Sequence, residues 1–424
     1  MNRRSAGKRS AIDLIVIFVF LNSLGFPGNY TRITGDWLKS LVDYSAFLLM
    51  IGVMFMTSAD HIMDILVIDL KKQYWAIYLF GAVLFGSSML VSISPRLQII
   101  TCVRVSVTLL FALWLCGQFT MQQMLERLYY AQILFVLATL LFVTFFPGYV
   151  HRESAAYAND FVGLYSAKNG AGTELAFGVL IQLVLLRLYS VRRITPSSIF
   201  VSLLGLQLLL LVLTHNVSAM FCLAASALYL FYMEPRMPLF HRMPLGFMYI
   251  AGSVGFLAAS MTILPIFTPL FELFGKDATL TGRVPLWEAC LALILETHTL
   301  FGYGYAMFWR DPWAVARLHS AFDEHSFMAQ QLSGSHNLII EMLLNTGVVG
   351  VGAFFLALLV SMKRIRELSA PRYLWCSAFM IFYMLFGFTE RAFSTHEFMT
   401  LFLFFTLGAA CCREDEEAPH GKGQ

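Results

Sequence analysis

The sequence predicts an all-α integral membrane protein of about twelve transmembrane helices with one large polar loop. Three observations carry this. Hydrophobic residues make up 58% of the chain and charged residues only 13%, whereas charged residues run near a quarter of a soluble domain. Windows of about 20 apolar residues, enough to cross a bilayer, recur along the chain. These runs lack the period-2 alternation of a barrel wall, so helices must satisfy their backbone polar groups in lipid.

The expected spans are 11–26, 40–57, 75–93, 99–117, 131–146, 172–186, 199–214, 218–232, 245–264, 337–361, 373–389 and 396–412. Three of them (131–146, 172–186 and 218–232) are short, as tilted or broken helices would be. The first follows Arg3, Arg4, Lys8 and Arg9, as in a signal peptide, but no small-residue cleavage site comes after it, so it reads as a span. Arg104 lies plainly within a span. The seven cysteines form an odd set, mostly inside apolar runs, and imply no disulfide framework. No Cys/His spacing suits a metal.

Basic residues set the orientation. With the N-terminus inside, 18 of the 29 Lys and Arg fall in inner segments and ten in outer ones, Arg104 being the remaining one. The inner density is more than twice the outer, so both termini are expected in the cytoplasm. The layout is then residues 1–264 as nine helices, 265–336 as the large outer loop, 337–412 as three helices and 413–424 as a polar tail.

That loop and its flanks, Thr279 to Gly347, form the long polar-rich interval of the chain. Within it, 284–301 resembles a span in length, but Glu288, Glu296 and His298 interrupt it. An acid at mid-membrane costs roughly 2.5–3.5 kcal/mol. An amphipathic interfacial helix fits better, with Leu286, Cys290, Leu293 and Ile294 towards lipid or protein and both acids towards water. Arg283 and His336 then share one side of the membrane.

Several residues here suit chemistry on an anion. Arg283 follows Thr281-Gly282 and starts the interfacial helix, where its guanidinium and free helix N–H groups could face an anion together, or where it snorkels to headgroups. His336, in S-G-S-H-N, stands at the mouth of the helix that follows and titrates near neutrality. It reads as a general base or as a capping histidine, and Glu341 as its orienting partner or as a residue paired within the bundle. Lys168-Asn169-Gly170 closes the second polar outer loop at a helix start, suiting a phosphate or an interfacial anchor. Glu390-Arg391 reads as a local ion pair or as part of a site. His215-Asn216 occupies a tight outer turn that could add polar contacts. Tyr303, Tyr305, Phe308, Trp309 and Trp313 form either an interface belt or the wall of a glycan groove.

At these residues the chain resembles the O-antigen ligase and polymerase superfamily, and within it the exopolysaccharide polymerases of Wzy type. The resemblance rests on T-G-R-x-x-L-W at 281–287, G-Y-G-Y-x-x-F-W at 302–309, H-N at 336–337 with L-x-x-x-G-x-x-G at 343–350, K-N-x-x-G at 168–172 and T-E-R at 389–391. It covers roughly 150–400. It implies a polytopic fold of GT-C-like type with a large periplasmic loop, and a metal-independent, inverting transfer of glycan from an undecaprenyl-diphosphate carrier to an acceptor sugar hydroxyl, with no cofactor. By that resemblance His336 and Arg283 are catalytic. Lys168, Asn169, Arg152, Arg391, Tyr303, Tyr305, Trp309 and Asn337 are substrate-binding, Arg152 being the candidate for a second cation. Thr297-His298-Thr299 replaces the proline usual between the two central motifs.

The implied partners are the lipid-linked donor, a glycan or lipid A-core acceptor and the bilayer, with a chain-length regulator and a flippase as further candidates and no nucleic acid. The expected activity is repeat-unit polymerisation in a bacterial inner membrane, with the site in the periplasm. The alternatives are ligation to lipid A-core and, from a different class, a lipid-linked oligosaccharide flippase. A transporter would place ionisable groups near the midplane and show repeated halves.

Overall fold

The computed structural model describes residues 3–23, 36–58, 74–91, 93–151, 160–165, 167–188, 197–234, 245–263, 266, 282–322, 334–393 and 398–412. Among them the backbone forms fourteen α-helices: α1 Arg3–Ser23, α2 Asp36–Ser58, α3 Trp75–Val91, α4 Pro95–Gln118, α5 Met121–Phe145, α6 Lys168–Leu188, α7 Ser197–Leu213, α8 Val217–Leu228, α9 Leu245–Thr262, α10 Arg283–Thr297, α11 Pro312–His319, α12 Leu338–Met362, α13 Ala370–Thr389 and α14 Phe398–Cys411. Within the described residues, each of the twelve expected stretches overlaps a helix. Six of them (α2, α4, α5, α6, α9 and α12) contain a run long and apolar enough to cross a membrane. Leu141, Phe145, Leu209 and Phe221 are among the large apolar side chains left exposed. On a soluble protein such outward faces would be a liability; in lipid they are the solvated surface. The chain is a multi-pass membrane protein.

Two of the three short spans are longer than their apolar runs. α5 has 25 residues and α6 has 21. In α5 the helix starts at a Thr120 capping box with Gln123, which satisfies orphan N–H groups before the apolar stretch begins. Its polar first turns are then held from outside: Arg127 pairs with Asp13 of α1, donates to the Gln123 carbonyl at 2.7 Å and covers the Phe119 ring. Arg127 is therefore a buried helical residue and not a loop charge. The third short span, α8, ends in a π turn, Tyr229–Met233.

Residues from most of the helices share one buried core. α12 packs against α3, α14 against α4, α8 against α13, α6 against α7, and α1 against α2 and α5. Phe177 of α6 sits among Trp375, Phe379, Phe398 and Phe402 from α13 and α14. Between α5, α6 and α7 a buried amide chain runs from Gln182 to Gln207 to Gln132. Gly178 makes room for it, since a Cβ there would lie 2.5 Å from Gln132 Oε1.

α10 divides its side chains between two environments. Leu286, Trp287, Cys290, Leu293 and Ile294 are buried, while Glu288 and Glu296 are exposed. The apolar face meets protein: Tyr303, Phe308, Ala314, Leu318, Ile340 and Leu344 complete a second core beneath it.

This second core depends on a break in α12. Gly347 has φ 63° and ψ −167° inside the helix, a conformation open to glycine at little cost. The interruption frees backbone groups that the 298–306 loop then satisfies. Val348 N–H donates to the Thr299 carbonyl at 3.0 Å, Val349 N–H to Leu300 at 3.2 Å, and Tyr303 N–H to the Leu344 carbonyl at 2.7 Å. Irregular backbone at membrane depth is tolerated where protein covers it, and here it anchors the loop.

A Cβ at Gly347 would lie 2.3 Å from the Leu300 carbonyl. Gly347→Val is therefore expected to destabilise the protein by more than about 3 kcal/mol or to prevent folding. Gly352→Ala on the same helix, where a Cβ meets nothing within 4 Å, should leave the melting temperature in detergent unchanged or raised.

Candidate functional site

Three segments distant in sequence bring polar side chains to the C-terminal end of α13. Glu390, the residue after that helix, accepts from Arg283 Nη2 at 3.0 Å and from Asn169 Nδ2 at 3.0 Å on one oxygen, and faces His336 Nδ1 at 3.1 Å with the other. Side-chain exposure falls towards the carboxylate: 27% for His336, 19% for Arg283 and 9% for Glu390. An ionised carboxyl is an acceptor only, so against an ionised Glu390 a neutral ring would carry its proton on Nδ1 and its lone pair on Nε2.

The local sequence explains why each group arrives there. Gly282, with φ 79°, turns the chain into α10 and sets Arg283 as its first helical residue. Asn337 caps α12 through the Ile339 and Ile340 N–H groups and donates to the Phe388 carbonyl at 3.1 Å, tying the start of α12 to the end of α13. Trp287 Nε1 donates to the Ser335 carbonyl at 2.8 Å, fixing the preceding turn to α10. Between these two ties His336 is held at φ 51°, an uncommon backbone state for a non-glycine residue that persists only where its surroundings impose it. Glu341 takes Ser335 N and Oγ and Trp309 Nε1. Of its two expected roles it therefore has the structural one, and Glu390 occupies the orienting position.

A second cluster adjoins the first. Lys168 Nζ and His215 Nδ1 each lie 2.9 Å from the Asp160 carboxylate. Burial raises the Asp160 carboxyl, but the Lys168 ammonium and the His215 ring outweigh it and hold it below the ordinary carboxylate value. The following residue, Asn169, carries the chain from this cluster to Glu390. Gly172 permits the approach, because a Cβ there would lie 2.5 Å from Asn216 Cβ.

The structure thus brings Arg283, His336, Asn169 and Asn337 together, with Lys168 next to them. Arg391 lies against Gly334, where a Cβ would come within 3.0 Å of Arg391 Cδ, and the Glu390 carboxylate turns to Arg283 and His336. Arg152 lies outside the described residues. The aromatic set divides. Tyr303, Tyr305 and Phe308 are buried in the cores and present no ring to a sugar. Trp309 is half-buried with its N–H on Glu341, and Trp313 is exposed.

Two acids went unread in the sequence. Asp160 lies in a loop with no pattern to mark it. Glu174, buried in the second turn of α6, did carry a signal, being an acid inside an apolar run.

Residues 200–355 match the protein-family model described as O-antigen ligase. That segment contains Arg283, His336 and Asn337; Lys168, Asn169 and Glu390 lie outside it. Over 106 residues the chain is 30% identical to exopolysaccharide production protein ExoQ of Rhizobium meliloti, a match covering 24% of this chain and 24% of that protein. The chain thus spans about a quarter of that relative's length. Both matches support a polysaccharide-related membrane enzyme, and residues 200–355 are similar to the O-antigen ligase family model.

Proposed function

We propose that the chain polymerises undecaprenyl-diphosphate-linked oligosaccharide repeat units at the periplasmic face of a bacterial inner membrane, by metal-independent, inverting glycosyl transfer. The observation that carries the reading is the shared Glu390 carboxylate, with an imidazole bound through Nδ1 on one oxygen and a guanidinium on the other.

In this reading His336 Nε2 accepts the proton of the acceptor hydroxyl as its oxygen attacks the anomeric carbon of the donor. The bond from that carbon to the diphosphate oxygen breaks, and its electron pair leaves with the undecaprenyl diphosphate. Glu390 fixes the ring's tautomer and stabilises the imidazolium that forms, as a carboxylate does for any histidine base. Charge develops on the leaving diphosphate, where fixed cations contribute most. Arg283 spends one nitrogen on Glu390 and keeps further N–H donors for that charge, and Lys168 supplies a second cation. Both termini are cytoplasmic, the loop 265–336 is periplasmic, and nine helices precede it and three follow.

Ligation of the glycan to lipid A-core is the second reading, favoured by the description of the matched family; the exopolysaccharide relative favours polymerisation. The glycolipid that accumulates in a deletion strain separates them. Loss of polymer with single repeat units retained supports polymerisation, whereas loss of all ligated glycan overturns it.

His336→Ala is expected to abolish transfer while the protein still inserts, seen as no polymer at unchanged membrane abundance; near-normal polymer would remove the histidine from the mechanism. Arg283→Lys should lose at least about tenfold in rate, because lysine cannot make a two-nitrogen contact with phosphate, and indifference would reduce the arginine to an anchor. Glu390→Gln keeps an acceptor for Arg283 but loses the charge behind His336. It should lower kcat by about a hundredfold or more with little change in KM, and an unchanged kcat would leave Glu390 a purely structural group.

A further inference from the structure

The cluster next to the proposed site repeats its plan. His215 lies in the turn between α7 and α8 at φ 52°, and His336 lies before α12 at φ 51°. Each ring is bound through Nδ1 by a buried carboxylate, Asp160 for His215 and Glu390 for His336. Each carboxylate gives its other oxygen to a cation, Lys168 at 2.9 Å and Arg283 at 3.0 Å. The two units share a backbone link. Lys168 serves the first, and its neighbour Asn169 donates to Glu390 while its carbonyl accepts from Asn216, the residue after His215.

The units differ in exposure, the His215 ring being 58% exposed against 27% for His336. A histidine that only braced the α7–α8 turn would have no need of an exposed ring on a buried carboxylate. With Nδ1–H directed at Asp160, the outward Nε2 can donate when the ring is protonated. A second anion on that side favours the charged form, because an imidazolium between two negative groups is stabilised from both. Lys168 offers only donors, and the acid of the cluster is already committed to Lys168 and His215. The group that fits outside is therefore a dense anion without donors of its own, and phosphate chemistry meets that need.

We propose that His215 Nε2 and Lys168 Nζ bind the diphosphate of the lipid-linked donor, with Asp160 as the residue that positions both. The inference rests on the donor assigned under the proposed function. It makes His215 a substrate-contacting residue, and it gives the leaving group its own cradle beside the base.

The test is binding of farnesyl diphosphate, with farnesol as the uncharged control, to the purified full-length protein in detergent. His215→Gly removes the ring while easing the left-handed backbone. Wild type should bind farnesyl diphosphate more tightly than farnesol. The variant should bind the diphosphate about tenfold more weakly, the scale of one charge-assisted hydrogen bond, with farnesol affinity and melting temperature unchanged. Free imidazole added to the variant should recover part of the loss, which a bracing role would not predict. Equal diphosphate affinity in wild type and variant overturns the role of His215 while leaving the donor assignment intact. Wild-type protein that does not prefer the diphosphate to farnesol overturns both. If the glycine variant does not fold, His215→Asn, which tolerates the same backbone, answers with the same outcomes.

Discussion

The Glu390 carboxylate holds the site together. It has almost no contact with solvent and takes donors from the start of α6, the start of α10 and the turn before α12. A desolvated carboxylate is costly unless its lone pairs are met, and here an amide, a guanidinium and an imidazole meet them. The same contacts make the group structural as well as chemical, because removing one member of a buried charge pair leaves the other uncompensated. The acid bonded to His336 therefore also joins the starts of α6 and α10 to the turn before α12. Its position at the end of α13 places that network at the edge of the apolar bundle, where an ionised cluster can persist.

The rest of the site is arranged so that His336 has little freedom. Asn337 ties its peptide to Phe388, Trp287 holds Ser335, and Glu341 takes the Ser335 hydroxyl and amide. Behind these, the break at Gly347 receives the 298–306 loop, which carries Tyr303 into the core under α10. The glycines of the motifs at 168–172, 302–309 and 343–350 thus have distinct physical work here. Gly347 and Gly302 adopt positive φ against backbone that leaves no room for a side chain, and Gly172 lets α6 approach the 214–216 turn. The motifs describe a way of seating a loop on a broken helix as much as they describe chemistry.

Much of this was legible in the chain. Apolar windows fell on twelve of the fourteen helices, and the acids at 288 and 296 set α10 apart as amphipathic, because a buried carboxylate in lipid costs too much; α11, a short helix without an apolar run, went unread. Arg283, Asn169 and His336 stood out as polar groups at helix starts. Partner choice was not legible. Glu390 precedes Arg391, and adjacency suggested a local pair, yet Arg283 reaches its carboxylate from 107 residues away. Glu341 lies near His336 in sequence, and the tight turn at 334–337 sends it to Ser335 and Trp309 instead. The aromatic run at 303–309 has the composition of a sugar platform, but the positive φ values at Gly302, Gly304 and Ala306 fold it inward. Periodicity reports which residues an element exposes; it does not report which distant loop will cover them.

The proposed chemistry turns on the state of one ring. Nitrogen-15 NMR of histidine-labelled protein, with His336 assigned by comparison with His336→Asn, reads that state directly. A histidine base held by Glu390 predicts a neutral ring protonated on Nδ1 with a basic Nε2, and a shift away from that tautomer in Glu390→Gln. A ring protonated on Nε2, unchanged by loss of the Glu390 charge, would contradict it.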